Sequence, residues 1–313
     1  MTGRIVFVAA NPSVDRLYEV ERLTVGAIHR PEAVAVVPGG KGLNAARAAA
    51  QLGGRVAVAG IIGGRSGEWI REQIAGRGID ASWATADNQT RTCVSILDRS
   101  SGTLTEFYEG GETVGEAAWE ELEAIVRRSL ETGDVAAIAL SGSLPPGAPA
   151  DGFGRIAAIA RGASVAVLAD TYGRALAAVL PQQPALVKVN AEEAASATGV
   201  AARDGTSEAA AAHALRDAGA TSVVVTLGID GAIVAGDGGT IRLSPPDLRG
   251  PYPVGSGDAF LGGMAVAIAN GDDVAEAARF GMAAGIANAL VPGAGELDAN
   301  VIGPIVEAIT VEA

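Results

Sequence analysis

Cysteine is almost missing from this chain. Cys93 stands alone, which excludes an intrachain disulfide and a cysteine-built metal centre. Lysine is nearly as scarce: of 23 basic residues only Lys41 and Lys188 are lysines, the rest being arginine. These two therefore mark places where a compact ammonium suits better than a guanidinium fork. Positive charge is short overall, since 36 acidic residues leave a formal net charge of −13. That balance argues against nonspecific binding to nucleic acid or to an anionic membrane surface. It leaves a small phosphorylated ligand open, because a few local cations suffice for one. No apolar run reaches membrane-spanning length without glycine or charge, and no signal-peptide pattern is present. A cytoplasmic protein is expected. What is plentiful is apolar: 49% of the 313 residues, with a mean hydropathy of +0.29, enough for one large α/β domain or two modest ones.

Short apolar segments alternate with helical ones. Residues 4–10, 55–62, 135–140, 164–170, 185–190 and 222–226 read as buried strands, and 232–235 pairs with 240–243. Residues 39–53, 68–77, 115–130, 153–161, 174–180, 207–218, 259–269, 272–290 and 300–308 read as helices. Strands that are apolar along their length, rather than alternating, predict a mostly parallel sheet with helices on both faces. Two segments differ. Residues 12–38 and 88–110 alternate apolar with polar positions, the second as a hairpin, and are too small for a core of their own. They predict a small β-sheet inserted as a flap into a core made of 1–11, 39–87 and 111–313. Polar residues recur just past strand ends (Asp15, Ser141, Asp170, Asn190, Thr226), where α/β sheets build ligand sites.

The chemistry centres on Val254-Gly255-Ser256-Gly257-Asp258-Ala259-Phe260. Glycines on both sides of a serine permit a sharp turn that presents bare N–H groups to an alanine-rich helix start. Such N–H groups have no intrahelical partner and the helix dipole favours negative charge, so the turn is an anion site. A carboxylate there is unfavourable unless chemistry needs it, and a base beside a phosphate cradle points to phosphoryl transfer. Taken alone, the stretch reads equally well as a helix capped by Asp258. Gly39-Gly40-Lys41-Gly42-Leu43-Asn44-Ala45-Ala46-Arg47 is a second glycine turn feeding a helix. It matches a dinucleotide fingerprint only loosely, because no acidic residue follows at ribose distance, and it lacks the Gly-Lys-Ser/Thr of a Walker A loop. A phosphate or a sugar suits it better.

Together these stretches resemble the PfkB/ribokinase family of carbohydrate kinases. Gly39-Gly40-Lys41-Gly42-x-Asn44-x-x-Arg47 resembles the family's first signature and Val254-Gly255-Ser256-Gly257-Asp258-Ala259-Phe260 its second. Lys188-x-Asn190-x-x-Glu193 is similar to its Asn-x-x-Glu motif, and Thr226-x-Gly228-x-x-Gly231 looks like its nucleotide-phosphate loop. Asn11-Pro12-Ser13-x-Asp15, the lysine in Gly-Gly-Lys-Gly, and Ser141-Gly142-Ser143-Leu144-Pro145-Pro146-Gly147 resemble the branch whose hexose substrates already carry one phosphate. The departures are Ser256 where alanine is commoner, Val189 where proline is usual, and Thr92-Cys93 after Arg91 where the branch often has asparagine.

The resemblance implies a ribokinase-like fold, ATP and Mg²⁺ as cofactors, and a small sheet that acts as a lid and as the contact of a homodimer. It implies phosphorylation of fructose 1-phosphate to fructose 1,6-bisphosphate. Tagatose 6-phosphate, fructose 6-phosphate, or an unphosphorylated sugar or nucleoside remain as alternative acceptors, and a noncatalytic sugar-phosphate or nucleotide sensor is the alternative of another class. Carried over by motif, Asp258 is an ionised, weakly basic acceptor of the sugar hydroxyl's proton. The amides of Gly255, Ser256 and Gly257 form an anion hole. Glu193 and Asn190 hold Mg²⁺ through its waters. Lys188, Asn190, Thr226, Gly228 and Gly231 meet the ATP phosphates, with Asn288 beside the base. Asp15, Gly39, Gly40 and Asn44 bind the sugar, and Lys41 and Arg91, with Arg30 and Ser141, bind its existing phosphate. The lid excludes water, which otherwise competes as acceptor.

Overall fold

The computed structural model describes residues 3–200 and 205–312. In chain order, β1 (Arg4–Ala9) is followed by β2 (Ser13–Val20), β3 (Ala33–Gly39), α1 (Lys41–Gln51), β4 (Val56–Gly63), α2 (Gly64–Gly76) and β5 (Asp80–Ala86). Then come β6 (Arg91–Asp98), β7 (Thr103–Tyr108), α3 (Glu116–Glu131), β8 (Val135–Ser141), α4 (Gly152–Gly162), β9 (Ala166–Asp170), α5 (Gly173–Val179), β10 (Leu186–Asn190) and α6 (Ala191–Thr198). The chain continues through α7 (Gly205–Asp217), β11 (Ser222–Thr226), β12 (Ala232–Gly236), β13 (Gly239–Ser244), α8 (Ser256–Asn270), α9 (Val274–Ala289), α10 (Ile302–Ala308) and β14 (Thr310–Glu312).

Ten strands form one sheet in the order β14-β13-β12-β11-β10-β9-β8-β1-β4-β5, and β3-β2-β6-β7 form a separate sheet of four. From β5 across to β11 every pairing in the large sheet is parallel. The edge from β11 to β14 is antiparallel. Alternate residues of β1 enter different cores. Ile5 and Phe7 pack toward the helices that include α1 and α8, while Val6 and Val8 pack toward Trp119, Leu122 and Phe153 of α3 and α4. This double burial is why the strands are apolar throughout. No helix of the described residues is long and apolar enough to cross a membrane.

Three elements escape the sequence pattern: β5, α6 and β14. The strand β5 lies at the sheet edge with exposed and half-buried residues around one buried position, Ala84, α6 has only 8 residues, and β14 only 3, all exposed.

Two features of this architecture place the site. The first is register: Ser13 lies between Gly39 on β3 and Arg91 on β6, and Asp15 lies opposite Cys93. In the large sheet Ser141 pairs with Asp170, and Asn190 with Thr226. The polar residues past the strand ends thus stand in rows. The second is close helix packing. A Cβ on Gly262 would sit 2.6 Å from the Ala45 carbonyl oxygen, and one on Gly42 would sit 2.7 Å from that of Val8. Only glycine lets α8 approach α1, and α1 approach β1, this closely, and the N-termini of α1 and α8 open on the same cleft.

Candidate active site

Helix α8 begins after Gly255, whose φ of 85° lies in the left-handed region. Asp258 is the third residue of the helix and is 7% exposed. The capping role expected for it is not found: Gly255 is the N-cap and no side chain caps the helix. Instead Asp258 Oδ2 accepts a hydrogen bond of 2.9 Å from Nδ2 of Asn44 on α1. The expectation of an ordinary, weakly basic carboxylate is corrected as well. Burial pushes the Asp258 carboxyl up to about 6, against the opposing pull of Lys41 and the Asn44 hydrogen bond and with a push from Asp170.

Asp170 closes β9 and is fully buried. It holds both lysines of the chain, with Lys188 Nζ 2.8 Å from Oδ2 and Lys41 Nζ 3.3 Å from Oδ1. Burial pushes the Asp170 carboxyl up, but the two ammonium groups outweigh it and hold the carboxyl below the usual range. Lys41 also lies 3.4 Å from Glu193 Oε1. Asp170 above all keeps its ammonium protonated well beyond the usual lysine range, against the effect of burial.

The Asn-x-x-Glu motif has a role that sequence reading did not foresee. Asn190 Oδ1 accepts from the Glu193 amide at 2.8 Å, and Glu193 Oε2 accepts from the Asn190 amide at 2.9 Å. This reciprocal pair is a capping box for α6. On the other side of the cleft, Ser13 donates a 2.5 Å hydrogen bond to Asp15 Oδ1. Burial pushes the Asp15 carboxyl up despite that bond. A Cβ on Gly39 would lie 2.0 Å from the Asp15 carboxylate, so glycine here makes room for the acid.

Two adjoining cavities meet at these groups. The larger, about 450 Å³, gathers Asp15, Gly40, Lys41, Asn44, Arg91, Lys188, Asn190, Glu193, Thr226, Gly255, Gly257 and Asp258. The smaller, about 330 Å³, is lined by Thr226, Gly228, Gly231, Ser256 and Gly257, with an apolar side of Phe260, Met282 and Ile286. Thr226, Pro253 and Gly257 border both. Gly39 stands just behind Asp15.

Four expected residues line neither cavity: Gly39, Arg30, Asn288 and Ser141. Arg30 is exposed on the connection between β2 and β3. Asn288 is fully buried, and its side chain braces a turn, donating to the Gly293 carbonyl at 3.5 Å and accepting from the Gly295 amide at 3.2 Å. Helix α9 borders the smaller cavity through Met282, Gly285, Ile286 and Ala289 instead. Ser141 is buried with its hydroxyl unpartnered and lines neither cavity.

Sequence reading missed Ser13, Cys93, Glu106 and Tyr108 as wall residues. Alternation on β6 and β7 signals a strand, not which face meets the cavity. It also missed the grip of Asp170 on both lysines, although its place at a strand end was visible.

Among the described residues no group of three or more His, Cys, Asp or Glu side chains is arranged to hold a metal. Glu193 and Asn190 spend their oxygens on the capping box and on Lys41. This donor set suits a hard ion that keeps its waters and takes its inner ligands from phosphate.

A 1-phosphofructokinase of Xanthomonas campestris pv. campestris is 32% identical over 284 residues, covering 88% of this chain and 87% of that protein. A 1-phosphofructokinase of Rhodobacter capsulatus is 32% identical over 283 residues, covering 90% and 89%. The crystal structure of phosphofructokinase-2 from Escherichia coli in complex with substrates and products matches with a TM-score of 0.89 and 29% identity, over 97% of this chain and 98% of that one. Ribokinase of Arabidopsis thaliana, at 22% identity and a TM-score of 0.76 over 98% and 99% of the two chains, shares the fold. A sequence model of the pfkB family carbohydrate kinases matches residues 8–300, and the chain belongs to that family.

Proposed function

We propose that the protein transfers the terminal phosphate of ATP to a hydroxyl of a ketohexose phosphate, with fructose 1-phosphate as acceptor and fructose 1,6-bisphosphate as product. The observation that carries this reading is the meeting of two cavities at the start of α8, where Gly257 borders both and Asp258 faces the larger. In this reading ATP occupies the smaller cavity, its base against Phe260, Met282 and Ile286 and its phosphates toward Thr226 and Gly228. The sugar lies in the larger cavity beside Asp15 and Asn44. Phosphoryl transfer asks a protein mainly to position two reactants and to stabilise charge. Asp258 takes the proton of the attacking hydroxyl, and the amides of Gly255, Ser256 and Gly257 meet the charge on the transferring group. Mg²⁺, when bound, neutralises phosphate charge; Glu193 and Asn190 would hold it through its waters. Lys188 adds a fixed ammonium nearby, and the small sheet closes over the acceptor.

The names of the two 32%-identical relatives favour fructose 1-phosphate. One observation favours an unphosphorylated acceptor instead: both cations offered to the acceptor phosphate are already engaged. Lys41 pairs with Asp170 and Glu193, and Arg91 donates to the carbonyls of Glu109 and Asn11 at 2.8 and 3.1 Å. An ADP-release assay separates the readings, using fructose 1-phosphate, tagatose 6-phosphate, fructose 6-phosphate, free hexoses, ribose and adenosine. Fructose 1-phosphate should be turned over with the highest kcat/KM. A free sugar that outruns it would overturn the acceptor assignment, and no ADP from any acceptor would favour a sensor. Asp258→Ala should lower kcat by about 10²–10⁴-fold while ATP still binds, and near-parental turnover would remove Asp258 as base.

The proposed unit also forms a homodimer through the small sheet. That surface exposes large apolar side chains: Val25 and Ile28 on the connection between β2 and β3, Val34 on β3 and Phe107 on β7. The proposed division is a core of 1–11, 39–87 and 111–313 and a lid of 12–38 and 88–110, with residues 1, 2, 201–204 and 313 of the core outside the described residues.

A further inference from the structure

Helix α1 is lined with fully buried alanines (Ala45, Ala46, Ala48 and Ala49), yet Arg47 sits among them at 1% exposure. Burying a guanidinium is costly unless it is paired and hydrogen-bonded, and burial does push Arg47 down to about 10, against the pull of Glu296. Packing alone would be served by one more alanine.

The contacts of Arg47 show what the charge is used for. Nη1 meets Glu296 Oε1 at 2.5 Å, and Nη2 donates to Asn44 Oδ1 at 2.9 Å and to the Ala294 carbonyl. Asn44 in turn donates through Nδ2 to Asp258 Oδ2. A guanidinium has only donors, so the Asn44 atom that faces it must be the oxygen. The amide hydrogens are thereby turned toward Asp258. Asp258 Oδ1 receives no hydrogen bond from the described residues and is left open. At the far end, Glu296 Oε1 also meets Arg77 at 2.6 Å. The loop that carries Glu296 is strapped to α1 by Gln51, which donates to the Gly295 carbonyl and accepts from the Leu297 amide at 2.9 and 3.1 Å.

We infer that Arg47 and Glu296 are positioning residues that fix the orientation of the Asn44 amide, so that Asn44 occupies one oxygen of Asp258 and leaves the other to the attacking hydroxyl. The inference rests on the reading of Asp258 as the base. It concerns residues that touch no substrate: Arg47 is hydrogen-bonded to the base only by way of Asn44, and Glu296 only by way of Arg47, while the Arg47 charge also favours the ionised form of Asp15.

The test is a double-mutant cycle in the full-length protein, assayed with the best acceptor of the panel above. Arg47→Met, which matches the apolar surroundings, should lower kcat by about 10- to 100-fold through misplacement of the base. KM for ATP should stay within about twofold. Arg47→Lys, which can still donate to Asn44, should recover part of that loss. Because Arg47 acts through Asn44, the pair Asn44→Ala, Arg47→Met should be no slower than Asn44→Ala alone. Losses that multiply, or an Arg47→Met variant that loses thermal stability at unchanged kcat, would overturn the inference. A crystal structure of Arg47→Met gives a readout that needs no turnover. The Asn44–Asp258 hydrogen bond should be broken, and its retention would equally overturn the inference. A parent chain that released no ADP with any acceptor would instead defeat the proposed function, while the crystal structure would still decide whether Arg47 sets Asn44.

Discussion

Asp258 shows how far a single side chain is set by its surroundings rather than by its place on a helix. The dipole and free amides at the start of α8 favour an anion, and sequence reasoning therefore expects an ordinary ionised carboxylate. Burial wins, and the group is pushed up to about 6. Two consequences follow with opposite signs. A base must be deprotonated to act, so kcat/KM should rise with pH through a limb near 6 in the free enzyme. A profile flat from about pH 5 to about pH 8 would refute the assignment. For stability the sign reverses. Because the folded state binds the proton more tightly than the unfolded state does, folding gains from protonated Asp258 at pH below about 4, and this gain is lost as pH rises through about 6. Asp258→Asn removes the charge. It should be inactive and, at neutral pH, more resistant to urea than the parent, by at most on the order of 3 kcal/mol, the cost of a shift from 3.8 to about 6. The glycine turn and the importance of Asp258 were legible in the sequence. Its partner Asn44 was not: the two are 214 residues apart, and no local spacing encodes a contact made across two helices.

Among the elements, α6 carries a double duty. Its first residues were readable as a ligand motif, but as a capping box they hold the helix onto the end of β10 whether or not a ligand is bound. Asn190→Ala removes the side-chain acceptor for the Glu193 amide and should cost about 1 kcal/mol. In a chain of 313 residues that is about 1.5 °C in the ligand-free Tm, measurable by calorimetry. Asn190→Asp keeps an acceptor at the cap and should lose little. An unchanged ligand-free Tm for Asn190→Ala would show that the motif serves ligand binding alone. The same contrast explains which elements the sequence revealed. Strands such as β1, β8 and β10, buried on both faces, announce themselves as apolar runs, and α1 and α8 as glycine turns leading into alanine-rich helices. Edge strand β5 sets its apolar residues, the partly buried Ala81 and Trp83 and the buried Ala84, among exposed polar ones and offers no apolar run, and α6 is too short for a periodicity to register. Asn288 reads as a polar position on a late helix, and nothing in its neighbours tells a reader that it turns inward to brace Gly293 and Gly295 rather than outward to a nucleotide.

For the molecule as a whole, the small sheet is the part with unfinished business. A sheet of four strands with Val25 wholly exposed and Ile28 and Phe107 more than half exposed leaves apolar surface in water, the signature of an interaction face. The double variant Ile28→Glu, Phe107→Glu should sediment as a monomer where the parent sediments as a dimer. A parent that is monomeric at micromolar concentration would sink the dimer proposal. The large sheet poses no such question, and its parallel order with helices on both faces was legible from the apolar strands alone. Another whole-chain property follows from the pairing of both lysines with Asp170. Apart from the chain's amino terminus, all of the protein's primary amine chemistry is gathered at one carboxylate. Lys188 is buried, and the Lys41 side chain, 35% exposed, is held protonated by its acidic neighbours. A protonated amine is no nucleophile. Apart from the amino terminus, the surface therefore offers acylating reagents almost nothing to react with, and slow modification at Lys41 reports on the state of the cleft.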